Sequence, residues 1–290
     1  MGLRLKFNLV MIAVFVIGLG VTGYVSYELL HRNARDEVLR NAGVMMEAAL
    51  SMRGYTVGKV RPLLPNDPDK FLPESVPAFA ATEIMGLLRQ KYPDYSYKEA
   101  ALNPTNPRNR AVDWENDILN AFRAGSEQKE VSGVRETPTG RSLYLARPLQ
   151  IKDQACLGCH STPETAPPAM LKLYGSTNGF GWKHNEVIAT QIVSVPMDLP
   201  IRNANHAFVT FMSSLAVVFA VLFVLLNVML TLFIVHPITE LSRAAEMISK
   251  GKVDLPDFSE KGRDEVSQLG QAFNRMRRSL EKAIKLIDRR

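Results

Sequence analysis

The sequence predicts an α+β domain that lies between two membrane-spanning helices and is followed by a helical coiled coil. Two apolar runs, Phe7 to Tyr27 and Ala207 to Val235, contain no charged residue, and each is long enough to cross about 30 Å of hydrocarbon as a helix. Helical and extended patterns alternate between the runs, and amphipathic helical patterns follow the second. The predicted boundaries are an N-terminal segment at 1–6, membrane helices at 7–29 and 207–235, a middle domain at 30–206 and a C-terminal module at 236–290.

The first apolar run is interpreted as an uncleaved anchor. Arg4 and Lys6 precede it, as basic residues precede the core of a signal peptide. The run is longer than a normal signal core, however, and no small-x-small cleavage site follows it. We therefore expect it to remain as a membrane helix.

The distribution of charge predicts the orientation of the chain in the membrane. Arg4 and Lys6 flank the first run on the side away from the middle domain, and basic residues from Arg243 to the Arg289–Arg290 tail follow the second run. The positive-inside rule then places both termini in the cytoplasm. The prediction is a two-pass protein of the bacterial inner (plasma) membrane whose middle domain is periplasmic.

The middle domain shows three helical and four extended segments. A helix from Ala34 to Val60 continues out of the first membrane run, and two further helices are predicted at Pro77–Lys91 and Trp114–Ala124. The extended segments cover 95–102, 130–136, 142–151 and 187–195, with a hairpin turn at 137–140. A long entry helix, antiparallel strands and a final strand leading into a membrane helix resemble a PAS-like sensor domain.

Both cysteines of the chain lie in Cys156-Leu157-Gly158-Cys159-His160, the sequence pattern of a c-type haem attachment site. Each thiol can add to a haem vinyl group, and the adjacent imidazole can ligate the iron. A zinc half-site would need further thiolate or imidazole ligands, and no second cysteine pair exists. A redox dithiol or a plain disulfide is the other alternative. A thioredoxin-like dithiol, however, lies at the start of a helix, whereas these cysteines are followed by a proline-rich stretch at 162–168. Haem attachment takes place on the outer side of the bacterial membrane, in agreement with the predicted topology.

Several stretches resemble a family of haem-binding, PAS-like extracytoplasmic sensor domains long catalogued as a domain of unknown function. The matching residues are Val60-Arg61-Pro62-Leu63-Leu64, Asn103-Pro104-Thr105-Asn106-Pro107-Arg108-Asn109 with Ala111, Asp113, Trp114 and Glu115, then Ala146-Arg147-Pro148, the Cys-x-x-Cys-His run and Asn178-Gly179-Phe180-Gly181-Trp182. The resemblance implies one covalent haem c per chain, with Cys156 and Cys159 carrying the thioethers and His160 as the proximal iron ligand.

The second axial ligand and the partners of the haem propionates are less directly indicated. Some members of the family use a cysteine on the distal side, and this chain has none to spare. The distal candidates are His184, Met52 and Met85, and an open or water-bound position is the alternative. His184 is better explained as a surface histidine in a loop. The candidate propionate partners are Arg53, Arg61 and Arg147, through charge-assisted hydrogen bonds.

After the second apolar run, two amphipathic helices are separated by a short connector. Their apolar residues follow steps of three and four: Ile238, Leu241, Ala245 and Ile248, then Val266, Leu269, Phe273, Met276, Leu280, Ala283 and Ile287. This arrangement directly below a membrane helix resembles a HAMP domain. The resemblance implies a parallel four-helix bundle made by two subunits, so that the protein is expected to be a homodimer.

These features together predict a membrane-anchored c-type haem sensor and signal transducer. No histidine follows His236 and no glycine-rich nucleotide loop is present, so we expect the protein not to be an enzyme and to act on a separate cytoplasmic kinase- or cyclase-type partner. Redox state or a bound gas would be the signal, and no role in nucleic-acid binding is expected. A membrane-tethered cytochrome for electron transfer, and a small-molecule PAS receptor with structural haem, are the alternatives.

Overall fold

The computed structural model of the protein describes residues 2–64, 70–125, 128–252, 255–258 and 262–287. The turn-rich loop at 65–69 and the basic tail at 289–290 lie outside the described residues. The chain divides into two compact units: Tyr27–Ala207 forms one, and Met1–Ser26 with Phe208–Arg290 forms the other.

The middle unit is built on a four-stranded antiparallel sheet, as the alternating sequence patterns predict. Its strands are β1 (Ser96–Ala101), β2 (Val131–Thr137), β3 (Gly140–Gln150) and β4 (Val187–Pro196), in the spatial order β1-β4-β3-β2. The predicted hairpin is confirmed, because Thr137 pairs with Gly140 across the turn between β2 and β3.

Helix α1 (Leu3–Tyr55) confirms the expectation that the first apolar run continues into the middle domain as one helix. Val38, Ala42, Met46 and Ala49 recur along one of its faces and are fully buried. A π-helical turn at Thr56–Val60 and a 3-10 turn at Arg61–Leu63 end the helical segment. Pro62 lacks the N–H that a continuing helix would need, which explains the stop.

Helices cover both faces of the sheet. α1 and α2 (Pro77–Lys91) pack on one face in a core that also contains Tyr97, Leu143 and Val193. α3 (Asp113–Arg123) packs on the other face, where Phe122 joins Ala100, Ala146 and Ile192 in a second core. Successive strand residues point to opposite faces, so β1, β3 and β4 contribute to both cores.

Among the described residues, two helices are long and apolar enough to cross a membrane, judged by length and composition alone. They are α1 and the helix that begins with α6 (Asp198–Leu230) and continues through a π-helical turn at Thr231–Val235. The two apolar segments touch: the rings of Phe15 and Phe219 stack with centroids 4.8 Å apart. The predicted fold class, an α+β domain flanked by two candidate membrane helices, is thereby confirmed.

The C-terminal segment consists of α7 (His236–Ser249), α8 (Glu265–Ile287) and the connector between them. The side chain of Asn274 on α8 accepts from the N–H of Phe258 and donates to its carbonyl, at 3.0 and 2.9 Å, which attaches the connector to the helix. Leu241 and Ile248 are buried as expected, whereas the buried alanine is Ala244 and Ala245 is exposed.

Candidate cofactor site

A cavity of about 400 Å³ opens in the middle unit where α1 ends. Its floor is the end of the sheet, with Ala101 on β1, Leu149 on β3 and Ala189 on β4. The end of α1, the loop at 103–109 and the Cys-x-x-Cys-His segment supply further lining. Most of this lining is apolar, as is usual for a site that takes a large flat cofactor or ligand.

The Cys-x-x-Cys-His segment folds as a 3-10 turn at Gln154–Cys156 followed by the one-turn helix α4 (Leu157–His160). Residues three apart on a helix share a face, so Cys156 and Cys159 both line the cavity, and His160 lines it with them. Both cysteines are free thiols and about half buried. The structure therefore brings together the three residues that the sequence singled out, two thiols and one imidazole, in one wall.

The hydrogen bond of His160 selects its tautomer. Nδ1 of His160 lies 2.7 Å from the carbonyl oxygen of Gly179, and a carbonyl can only accept, so Nδ1 carries the proton. Burial lowers the pKa of the imidazole, and the bond to Gly179 opposes this shift. The neutral ring then keeps a lone pair on Nε2, the nitrogen that a metal ion would use. The ring also stacks on Trp182, with centroids 3.8 Å apart.

Two loops interlock behind His160. The side chain of Asn103 accepts from the N–H of Gly179 at 3.2 Å and donates to the carbonyl of Phe180 at 3.4 Å. Gly179 has a φ of +84° and lies against Thr105, so closely that an added Cβ would be 2.8 Å from the Cα of Thr105. The Asn-Pro-Thr and Asn-Gly-Phe-Gly-Trp stretches are thus parts of one structure that holds the imidazole.

Arg53 and Arg61, two of the three candidate propionate partners, line the cavity. Arg53 donates to the buried carboxylate of Glu99 at 2.5 Å, whereas the guanidinium of Arg61 makes no ion pair among the described residues. Burial raises the pKa of both cysteine thiols, and the positive charge of Arg61 opposes the shift at each of them. The charge of Arg61 therefore acts on both thiols.

The structure places Arg147 outside the described cavity lining, in contrast to the expectation that it would face a cofactor. Its guanidinium donates to Glu47 at 2.6 Å and to Glu130 at 2.7 Å. These two hydrogen bonds hold the guanidinium of Arg147 at the surface of the sheet, where the two carboxylates balance its positive charge.

The distal candidates are likewise not brought to the cavity. Met52 is packed against the core beneath α1, Met85 is part of that core, and His184 is exposed in a loop. None of the three is among the described residues that line the cavity. The methionine spacing on α1 reflects packing, which is its more usual meaning.

One methionine that sequence reasoning missed does line the cavity. Met170 lies on α5 (Pro168–Tyr174), is 2% exposed and faces the same space as His160, as does Tyr174. The proline-rich stretch before Met170 favours a loop, and for this reason the short helix was not predicted from the sequence. Proline at a first helical position is nevertheless a known start signal and would have indicated it.

The fold and the site define an α+β domain with a Cys-x-x-Cys-His cavity, flanked by two candidate membrane helices and followed by a pair of amphipathic helices. The family model for Tll0287-like proteins matches residues 31–196 and the model for the HAMP domain matches residues 229–282. The chain therefore belongs to the Tll0287-like family and carries a HAMP domain after its second candidate membrane helix, as the sequence predicts.

One similar solved structure is the crystal structure of the cyanobacterial heme-protein Tll0287. It shares 15% identity with this chain, covers 55% of this chain and 95% of its own, and has a TM-score of 0.44. Among curated proteins, none matches the chain.

Proposed function

We propose that the protein is a membrane-anchored sensor whose middle domain carries one covalently attached haem c. Cys156 and Cys159 form the thioethers and His160 is the proximal ligand. The bound haem supplies an iron that changes redox state or takes a gaseous ligand. The change passes through the second membrane helix and the HAMP domain of a homodimer to a separate cytoplasmic signalling partner. The protein itself carries out no enzymatic reaction.

The single observation that carries this proposal is the geometry of His160. Two unpaired thiols and the imidazole line one largely apolar cavity, and the hydrogen bond to Gly179 leaves Nε2 as the free nitrogen. Haem attachment needs these features together: nucleophilic sulfurs three positions apart, an oriented neutral imidazole and an apolar space for the macrocycle. The known haem content of Tll0287 agrees with this chemistry.

The route to the membrane is supported by the connection that follows the sheet. β4, which contributes Ala189 to the cavity, ends at Pro196, and α6 begins at Asp198. Only one residue separates a strand in the cavity floor from a candidate membrane helix. A short connection of this kind transmits displacement of the strand to the helix, because it has few residues that could absorb it.

The HAMP domain supports the proposal that two copies act together. Leu269, Met276 and Leu280 lie on one side of α8 and are 52%, 56% and 42% exposed in a single chain. A heptad row of large apolar side chains is stabilised when a second helix covers it. The C-terminal helices of two copies would bury these rows against each other in a parallel bundle, with both copies anchored in one membrane.

Haem staining of the full-length protein after denaturing electrophoresis tests the proposal. The wild type and the control His184→Ala should stain, because His184 is exposed and away from the cavity. The double variant Cys156→Ala/Cys159→Ala should not stain, since haem held only by coordination is lost on denaturation. Staining of the double variant, or no staining of wild type produced with a haem-attachment system, would contradict the proposal.

A further inference from the structure

Four polar side chains form a continuous hydrogen-bonded network in the wall between the core beneath α1 and the cavity. Gln191 Nε2 donates to the hydroxyl of Tyr97 at 2.9 Å, and that hydroxyl donates to Glu99 Oε1 at 2.7 Å. Arg53 Nη1 donates to the same oxygen at 2.5 Å. We refer to Arg53, Glu99, Tyr97 and Gln191 as the wall network.

The wall network is buried in surroundings that are otherwise apolar. Glu99 is 4% exposed and Gln191 is 2% exposed. Burial, together with the neighbouring Glu99 carboxylate, raises the pKa of Tyr97 well above its ordinary value, so the phenol stays protonated as a donor. A buried carboxylate is strongly destabilising without its partners. Two of the four residues, Arg53 and Glu99, also line the cavity.

The network joins the two elements that connect to the candidate membrane helices. Arg53 lies near the end of α1, which is helical back to Leu3 within the first candidate span. Gln191 lies on β4, which leads into α6, and it is the direct cross-strand partner of Glu99. Glu99 and Tyr97 on β1 therefore link α1 with β4, and they do so at the edge of the cavity.

A change in charge at the cofactor acts directly on such a network. Oxidation or reduction changes the charge of the iron by one unit, and electrostatic energies are larger in a buried site than in water. Arg53 and Glu99 both line the cavity, and they pack against neighbouring groups that have few alternative arrangements. The difference in free energy between alternative packing arrangements of these groups therefore depends on the redox state of the cofactor.

We propose that the wall network couples the state of the cofactor to α1 and β4 and so provides the first step of signal transmission. This inference rests on the proposed function, because it requires a haem in the cavity. Its four residues act as positioning residues: they change how α1 and β4 pack, and none of them needs to touch the iron.

A second ion pair offers a matched control. Glu47 on α1 pairs with Arg147 on β3 at 2.6 Å, and it too joins α1 to the sheet. Glu47 and Arg147 do not belong to the described cavity lining. If any ion pair between α1 and the sheet were sufficient for coupling, loss of the control pair would have the same effect as loss of Glu99.

Hydrogen–deuterium exchange of the full-length, haem-loaded protein in detergent tests the inference. Amides in residues 53–60 and 187–196 of the wild type should exchange at rates that differ by about fivefold or more between oxidised and reduced protein. In Glu99→Gln and in Tyr97→Phe this difference should fall below about twofold, while Glu47→Gln keeps it. Tyr97→Phe removes only a hydroxyl, so it decides the question if Glu99→Gln does not fold.

The outcomes separate this inference from the proposed function. A difference that persists in Tyr97→Phe and in any folded Glu99→Gln protein overturns the wall network as the coupling element while leaving the haem sensor intact. A wild type that carries haem but shows no difference between the two states also overturns it. A wild type that carries no covalent haem overturns the proposed function and this inference together.

Discussion

The Nδ1 atom of His160 and the carbonyl oxygen of Gly179 are 2.7 Å apart, and this one hydrogen bond fixes both the tautomer and the direction of the imidazole. Second-sphere bonds of this kind usually orient histidine ligands of metals. Here the acceptor is a backbone carbonyl held by Asn103 and Thr105. The imidazole of His160 is therefore positioned by loops that are distant in sequence from the Cys-x-x-Cys-His segment.

Replacing His160 by alanine should remove the proximal ligand and leave the thioethers in place. We expect a shifted Soret band and a larger high-spin fraction in absorption spectra, because the iron loses a strong nitrogen donor. Added imidazole should restore much of the wild-type spectrum by entering the space of the side chain. A spectrum identical to that of the wild type would show that another residue is the proximal ligand.

Replacing Gly179 by alanine should destabilise the loop that holds His160. The new Cβ would collide with Oγ1 of Thr105 and would be 2.8 Å from its Cα, at a φ of +84°. Gly181→Ala is a matched control, because it has a φ of +81° but nothing within 4 Å of the added Cβ. The control should cost about 1 kcal/mol in the free energy of unfolding, and Gly179→Ala clearly more. Equal losses in chemical denaturation would contradict the contact with Thr105.

Carbon monoxide should bind the reduced protein rapidly and completely. Met52, Met85 and His184 do not line the cavity, so none of them reaches a haem held by Cys156, Cys159 and His160 in this arrangement. Met52→Leu, Met85→Leu and His184→Ala should accordingly leave the absorption spectrum unchanged. Slow binding in the wild type that becomes fast in Met170→Leu would instead assign Met170 as a sixth ligand.

Replacing Arg61 by glutamine should lower the midpoint potential of the haem. Arg61 lines the cavity and makes no ion pair among the described residues, and its charge acts on both thiols. Loss of this positive charge favours the ferric state, which has the higher positive charge. We expect a decrease of roughly a few tens of millivolts at low ionic strength. Arg147→Gln is the control and should change the potential little, since Arg147 lies outside the described lining between two carboxylates. An equal shift in both variants would contradict this placement of Arg61.

Single cysteines at Leu269 or Phe273 should cross-link two copies of the protein through α8. Both positions belong to the row of apolar residues predicted on this helix, and Leu269 is 52% exposed in the single chain. Arg275→Cys, on another side of the helix, should cross-link poorly. The rate should differ between oxidised and reduced protein by about fivefold or more if the HAMP bundle changes its packing. Efficient cross-linking that is indifferent to the haem would favour a dimeric, membrane-tethered cytochrome for electron transfer.

The sequence by itself determined the features that depend on neighbouring residues. Cys156, Cys159 and His160 are recognisable because attachment chemistry needs them within five positions. The strands and α2 follow from local alternation and helical spacing, and the observed bounds differ from the predicted ones by at most two residues. The apolar runs and the HAMP repeats are equally local. The periodicity of apolar residues predicts which face of a helix or strand is buried. The Cys-x-x-Cys-His motif is recognised because its reactive residues lie close together in the sequence.

Only the tertiary structure decided which residues share the cavity. Arg61 and Arg147 are equivalent as sequence candidates, yet only Arg61 lines the cavity, and Met170 lines it in place of Met52 and Met85. The wall network joins Arg53, Glu99 and Gln191 from three separate elements. Periodicity cannot say which elements meet, because that depends on how α1 and the sheet pack and on where α1 ends. The long-range contacts that place a cofactor are set by this packing, whereas the motif that predicts covalent attachment lies in five consecutive residues.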